Sequence, residues 1–173
     1  MLKIKDFERK LVVNTECFFS DVTSASMQYL KANDFPALVR LLEASVLPTD
    51  DLNPADLAHF LGVYEGDVLL AAGGLQILGN SALLRSVATL SSARHRGLAT
   101  GIVKELEIHA QRIGIEEIYL LTETAGAFFQ DLGYEVESRN GAPSAITKTA
   151  QFSELCSQSA ALLHKCISPL NDS

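Results

Sequence analysis

The sequence predicts an α/β domain of the α+β kind, built on a mixed, mostly antiparallel twisted sheet flanked by helices. Two stretches predict it. Leu61 to Tyr64, Val68 to Leu78 and Ala82 to Leu90 are strand-like runs separated by Glu65-Gly66-Asp67 and Gly79-Asn80, turn signals that join strands into an antiparallel meander. From Leu83 to Thr122 the order is strand, helix, strand, a right-handed crossover that makes its two strands parallel neighbours. With 173 residues, 47% apolar and 20% charged, the chain suits one compact domain and is too apolar for disorder.

The elements follow in order. Residues 1–23 show no sustained period and are expected to be an N-terminal extension, with residues 24–173 forming the domain. The cluster Leu11 to Val13 with Phe18 and Phe19 gives that extension something to dock with. Ser26 to Lys31 reads as a first strand. A helix then starts at Asn33 or Asp34, with Pro36 in its first turn and Leu38, Leu41 and Leu42 as its buried stripe. Asn53 caps a second short helix that has Pro54 at its first position and runs to about His59. After the meander, in which Gly73-Gly74 marks a bulge or close backbone approach, a helix carries Leu98, Ile102, Val103, Leu106, Ala110 and Ile113 on one face. Lys104, Glu105, Glu107 and Arg112 lie opposite, and Gly114 stops the helix. Ile118 to Thr122 is a buried strand. A helix from about Ala125 to Leu132 closes at Gly133, and a strand follows over Tyr134 to Ser138. Ala145 to Thr149 is expected to pair as a final strand, and about Ser153 to Cys166 to form a terminal helix on which Cys156 and Cys166 pack as small apolar groups.

The net charge of −7 disfavours nucleic acid as a partner, because phosphate neutralisation needs clustered cations. The dense basic spot is Arg94-His95-Arg96, which fits a small anionic ligand. Cys17, Cys156 and Cys166 are odd in number and widely spread, without a Cys-x-x-Cys pair, so neither a disulfide nor a metal is expected. No apolar run approaches the roughly 18 residues of a membrane span. A reduced cytoplasm is the expected location.

The chemistry concentrates where the strand ending at Leu90 passes through Ser91-Ser92-Ala93 into Arg94-His95-Arg96-Gly97-Leu98-Ala99-Thr100 and opens a helix. Small residues at 97 and 99 let a phosphate reach the backbone, and the first helical N–H groups with the helix dipole favour negative charge there. A Walker loop is excluded by the absence of a Gly-Lys-Ser/Thr ending.

Over about Ala25 to Thr149 this pattern resembles the GNAT superfamily of N-acetyltransferases, whose Arg/Gln-x-x-Gly-x-Gly/Ala loop is matched by Arg94, Gly97 and Ala99. The resemblance implies acetyl-CoA as cosubstrate, its pyrophosphate held by the amides of Arg94, His95, Arg96, Gly97, Leu98, Ala99 and Thr100. Val87, Ala88 and Thr89 would run beside the pantetheine arm, and a bulge there would aim an N–H at the thioester oxygen. Where many relatives carry the tyrosine that protonates the thiolate, this chain has Phe129, beside the coenzyme. A narrower likeness is to the arsenic-resistance branch, through Leu84-Arg85-Ser86, the run Tyr119 to Ala125 with Phe128-Phe129, and Arg139 with Ala142-Pro143. Thr149 to Ser153, Leu155-Cys156 and Ser159-Ala160 extend that likeness.

Glu123, at the C-terminal end of a central strand, is the candidate general base, with capping of the next helix as its alternative role. Tyr134 or an ordered water is the candidate proton donor. His95 reads as a loop residue touching phosphate, and His59, His109 and His164 as surface or helix-face residues. Arg85 shares a strand face, by alternation, with Leu83 and Val87, and needs a partner there. That partner is either a protein carboxylate or a substrate anion clamped with Arg139. The expected acceptor is a small, anionic, amino-acid-like amine. A non-catalytic acyl-CoA sensor and a protein N-acetyltransferase are the alternatives, and a homodimer is compatible through an edge strand near Ala145.

Overall fold

The computed structural model describes residues 25–168, so the expectations for the N-terminal extension and Cys17 lie outside the described residues. Seven strands form one sheet in the order β1-β2-β3-β4-β5-β7-β6. They are β1 (Ala25–Tyr29), β2 (Phe60–Glu65), β3 (Val68–Leu78), β4 (Ser81–Thr89), β5 (Glu117–Thr122), β6 (Glu135–Glu137) and β7 (Ala161–Cys166). All neighbours are antiparallel except β4 and β5. The helices are α1 (Phe35–Ala44), α2 (Leu98–Arg112), α3 (Gly126–Asp131) and α4 (Ser144–Thr147), with a 3-10 segment over Pro54–His59 capped by the Asn53 side chain. Among the described residues no helix is long and apolar enough to cross a membrane.

Alternation along each strand divides the core. One layer packs α2 against Leu61 and Val63 of β2, Leu84 of β4 and Ile118 and Leu120 of β5. The opposite face holds two smaller layers, one around Leu38, Leu41 and Leu42 of α1 with Phe60, the other around Leu83, Tyr119, Ile146 and Leu162. Gly74 allows close packing there, since a Cβ on it would meet the buried Phe60 ring at 2.4 Å.

The C-terminal part departs from expectation. Residues 145–149 are not a strand: Pro143 stands at the N-cap of α4, and Thr149 Oγ1 donates to the Ile146 carbonyl at 2.7 Å as the turn ends. The terminal helix expected from Ser153 is a short π-helical turn over Gln151–Leu155, followed by β7. Leu162 faces one core layer and Leu163 the other, because successive strand residues point to opposite faces and both faces are covered here. A strand buried on both faces loses its polar alternation and cannot be told from a helix by period alone. Cys156 is half-buried beside the π turn and Cys166 exposed at the strand end, so neither packs on a helix. The sheet edges are β1 and β6. On β6, Glu135 and Glu137 flank Val136, which is 63% exposed, and charge of this kind discourages edge pairing.

Helix α2 also buries a residue assigned to solvent. Glu105 is 7% exposed with Arg112 3.9 Å away; burial foremost pushes its carboxyl pKa up, and Arg112 offsets part of the rise. Nearby, His109 Nδ1 lies 3.1 Å from Tyr29 Oη and its Nε2 2.9 Å from His59 Nδ1, so both histidines are bonded and half-buried. Burial first, then the charges of His59 and Arg112, hold the His109 pKa below its ordinary value. The folded protein therefore keeps this ring neutral while the unfolded chain takes up a proton near pH 6.5. Stability from the neutral ring is full above that pH and is lost as pH falls toward the folded pKa. The drop in Tm between about pH 7.5 and 5.5 is expected to be smaller in His109→Gln than in the wild type, and calorimetry at the two pH values reads it.

Candidate active site

Strands β4 and β5 pair only from Ser81 to Leu83 against Glu117 to Tyr119. Beyond that point each keeps its outer partner, β3 for β4 and β7 for β5, and the two diverge. The wedge holds a cavity of about 440 Å³ lined by Leu84, Arg85 and Ser86 of β4, Thr122 and Glu123 at the end of β5, and Cys156. A splayed parallel pair is a natural ligand crevice, because its inner backbone edges are unpaired at the C-terminal ends of the strands.

A bulge sits at this splay. Between the pairs Ala72↔Ala88 and Gly74↔Arg85, Gly73 alone opposes both Ser86 and Val87, and Ser86 adopts φ 57°. The extra residue reverses the alternation. Arg85 therefore lies on the opposite face from Leu84, while Val87 packs against the α2 layer and Ala88 against the α1 layer. The expectation that Arg85 and Val87 share a face fails for this reason. With those side chains packed into the core, Val87 to Thr89 offer the wedge mainly their backbone.

The loop after β4 is held at both ends. Leu90 N–H donates to the Leu70 carbonyl at 2.8 Å, Ala93 N–H to the Leu90 carbonyl at 2.9 Å, and Leu98 is buried in the α2 layer. Between these anchors His95 and Gly97 take left-handed φ values of 63° and 74°. Among the described residues no protein group accepts from the amides of Arg94 to Thr100, and the first paired amide is that of Gly101, 3.0 Å from the Gly97 carbonyl. Arg94 and His95 are exposed, whereas Arg96 Nη2 reaches Glu65 Oε1 at 2.9 Å. The loop thus combines free donors, a helix N-terminus and cationic side chains, a fitting cradle for a diphosphate.

The remaining candidates divide. Glu123 is exposed on the cavity rim, and its charge adds to the rise that burial imposes on the Cys156 thiol. Arg85, 7% exposed, donates from Nη1 and Nη2 to the two carboxylate oxygens of Asp51, both at 2.6 Å. The partner is thus a protein carboxylate. Burial alone would raise the Asp51 pKa, but the hydrogen bonds and charge of Arg85 outweigh it and hold the pKa below the usual range. Arg139 donates to the carbonyls of Ala160, Phe152 and Ser157 at 3.0, 3.1 and 3.4 Å, and its guanidinium lies 4.4 Å from the centre of the Phe152 ring. Neither guanidinium is a free fork, so the pair does not form a preset anion clamp.

Phe129 and Tyr134 are both core residues, their rings 5.7 Å apart and edge to face. The Tyr134 hydroxyl is buried without a well-formed hydrogen bond. Burial, reinforced by the nearby Glu107 carboxylate, pushes its pKa far above the ordinary phenol value, which makes it a poor acid. Asp51 carries no signal in the sequence that ties it to the site, and Gln151 and Cys156 stand only in strings of the arsenic-resistance likeness that assign them no role. Asp51 sits in the link after α1 and Gln151 in the π turn; a buried arginine inside β4 was the one sign that a carboxylate had to be near.

The acetyltransferase (GNAT) family model matches residues 21–134, and the chain belongs to that family. It has the mixed, mostly antiparallel sheet of that fold. No curated protein matches the chain. Among solved structures, N-acetylglutamate synthase from Neisseria gonorrhoeae, complexed with coenzyme A and L-arginine, is 16% identical with a TM-score of 0.71, covering 83% of this chain and 33% of its own. Rv2747 from Mycobacterium tuberculosis, in complex with CoA, is 16% identical with a TM-score of 0.69, over 82% of this chain and 99% of its own. Ribosomal-protein-S18-alanine N-acetyltransferase from Escherichia coli is 15% identical with a TM-score of 0.63, over 86% and 97%. The chain thus spans about a third of the synthase and nearly the whole of the other two; at these identities the likeness concerns the fold.

Proposed function

We propose that the protein transfers the acetyl group of acetyl-CoA to the amine of a small, amino-acid-like molecule in the cytoplasm. The observation that carries this reading is the set of seven successive amides, Arg94 to Thr100, left without protein acceptors at the mouth of the β4–β5 splay. They bind the pyrophosphate, and the unpaired edge of Val87 to Thr89 aligns the pantetheine arm. The acceptor amine attacks the thioester carbonyl carbon, and the carbon–sulfur bond breaks. Glu123 takes the amine proton, directly or through water, and water protonates the departing thiolate. Phe129 has no proton to give, and that of Tyr134 is held too tightly.

A wedge of about 440 Å³ suits a small molecule. The neighbouring synthase, also crystallised with N-acetyl-glutamate, supports an amino-acid acceptor, and the sequence likeness to the arsenic-resistance branch adds organoarsenical amino-acid analogues. Arg85 on the cavity wall is paired with Asp51, so an anionic acceptor would have to share that guanidinium with the carboxylate. Thiol release from acetyl-CoA, followed with glutamate-type amino acids, arsenical analogues, polyamines and an alanyl peptide, tests the reading. Release is expected with the amino-acid group. Release with the peptide alone transfers the assignment to protein acetylation, and tight CoA binding without release to any of them identifies a sensor.

A further inference from the structure

A second cluster of chemically competent side chains lies on the other half of the sheet. Glu117 of β5 and Cys166 of β7 are direct cross-strand partners, and His164, two residues before Cys166 on β7, is the partner of Tyr119. Residues two apart on a strand point to one face, as do direct partners, so Glu117, Tyr119, His164 and Cys166 share a face. Glu117 Oε1 is 3.7 Å from His164 Nε2, Cys166 Sγ is 3.7 Å from the same nitrogen, and all three ligand atoms lie within 4.8 Å of one another.

The two 3.7 Å separations from the histidine nitrogen are close to the edges of a coordination tetrahedron. Metal–ligand bonds of about 2.0–2.3 Å at tetrahedral angles place neighbouring ligand atoms about 3.3–3.6 Å apart. Supporting groups are in place as well. Glu117 Oε2 accepts from Tyr119 Oη at 3.2 Å and from Ser81 Oγ at 3.5 Å, which leaves Oε1 to face the histidine. The Tyr119 ring stacks on the His164 imidazole, with centroids 4.6 Å apart and planes at 24°, fixing the ring that presents Nε2. Oriented carboxylates and rings of this kind are what hold metal ligands in position.

We propose that Glu117, His164 and Cys166 form a binding site for a borderline-soft divalent cation, with Zn2+ as the type. Thiolate, imidazole and carboxylate together select such an ion over Mg2+ or Ca2+, which favour all-oxygen sets. Three protein ligands leave a fourth position for water or a small anion. The ion ties β5 to β7 where β7 ends, at the opposite end of β5 from the acetyl-transfer wedge, so the proposal is independent of the acceptor's identity. Spacing rules overlook the site because Glu117 and His164 meet only through strand pairing.

Titration of the untagged, reduced full-length chain with Co2+, followed by thiolate-to-cobalt charge-transfer absorption, tests the site. One equivalent is expected to produce the band. Cys166→Ser abolishes it while Cys156→Ser leaves it intact, and His164→Ala and Glu117→Gln each weaken binding by at least about 10-fold. Zn2+ is expected to displace Co2+ and to raise the Tm of the wild type but not of Cys166→Ser. Because Cys166 is exposed, its serine variant is expected to fold, and its melting curve without metal checks this. No band under excess Co2+, a band that survives Cys166→Ser, or affinity unchanged in His164→Ala overturns the proposal.

Discussion

Gly97→Val is expected to raise the KM for acetyl-CoA about 100-fold, with a smaller effect on stability. Gly97 caps α2 at φ 74°, and a Cβ added to it would meet nothing within 4 Å, so the cost of a side chain arises from the backbone and not from a clash. A β-branched residue is a poor occupant of the left-handed region, at a cost of about 1–2 kcal/mol. The chain has two ways to respond. If the turn holds, stability falls by that amount; if it relaxes, the amides of residues 94–100 no longer converge and coenzyme affinity falls. Gly79 separates the two effects, because it has φ 70° and open space around it in the β3–β4 turn, away from the loop. Gly79→Val carries the same backbone strain, so a similar loss of Tm with unchanged KM is expected. Steady-state kinetics beside thermal melting of both variants make the comparison, and an unchanged KM in Gly97→Val with a loss of Tm well below that of Gly79→Val, the mark of a relaxed turn, would remove the loop from coenzyme binding.

Legibility from sequence followed the kind of signal each element left. The meander and α2 were readable because their faces differ: Leu98, Ile102, Val103 and Leu106 repeat at helical spacing, and glycines at 66, 79 and 114 mark turns with positive φ. The loop proposed to hold the diphosphate was readable as a strand-to-helix turn because it is local, with every residue between 94 and 100 contiguous. What escaped was set by tertiary partners. β7 buries Leu162 and Leu163 on opposite faces, and that double burial erased its period; α4 took the place expected of a strand because Pro143 starts a turn there. The bulge at Ser86 and Val87 inverted a face assignment drawn from simple alternation. Asp51, which satisfies Arg85, is 34 residues away in sequence, and only folding reveals the pair.

Asp51→Ala is expected to be the most destabilising single change at the site, by about 3 kcal/mol, because it leaves a charged guanidinium buried without a partner. The Arg85 side chain is 5% and the Asp51 side chain 15% exposed. Water therefore reaches the carboxylate more readily than the guanidinium, which places the estimate at the lower end of the range for broken buried pairs. The intrinsic value of the pair is a separate matter. Desolvating two ions costs much of what their attraction returns, and apolar replacements of similar volume are often neutral. The double variant Arg85→Met with Asp51→Leu is accordingly expected to recover most of the stability lost in Asp51→Ala, as measured by urea unfolding. Activity separates the roles further. If Arg85 only braces the wall of the wedge, the double variant keeps its acceptor KM; if its charge attracts an anionic acceptor, that KM rises while the KM for acetyl-CoA stays fixed. A folded double variant with both constants unchanged would assign Arg85 to structure alone.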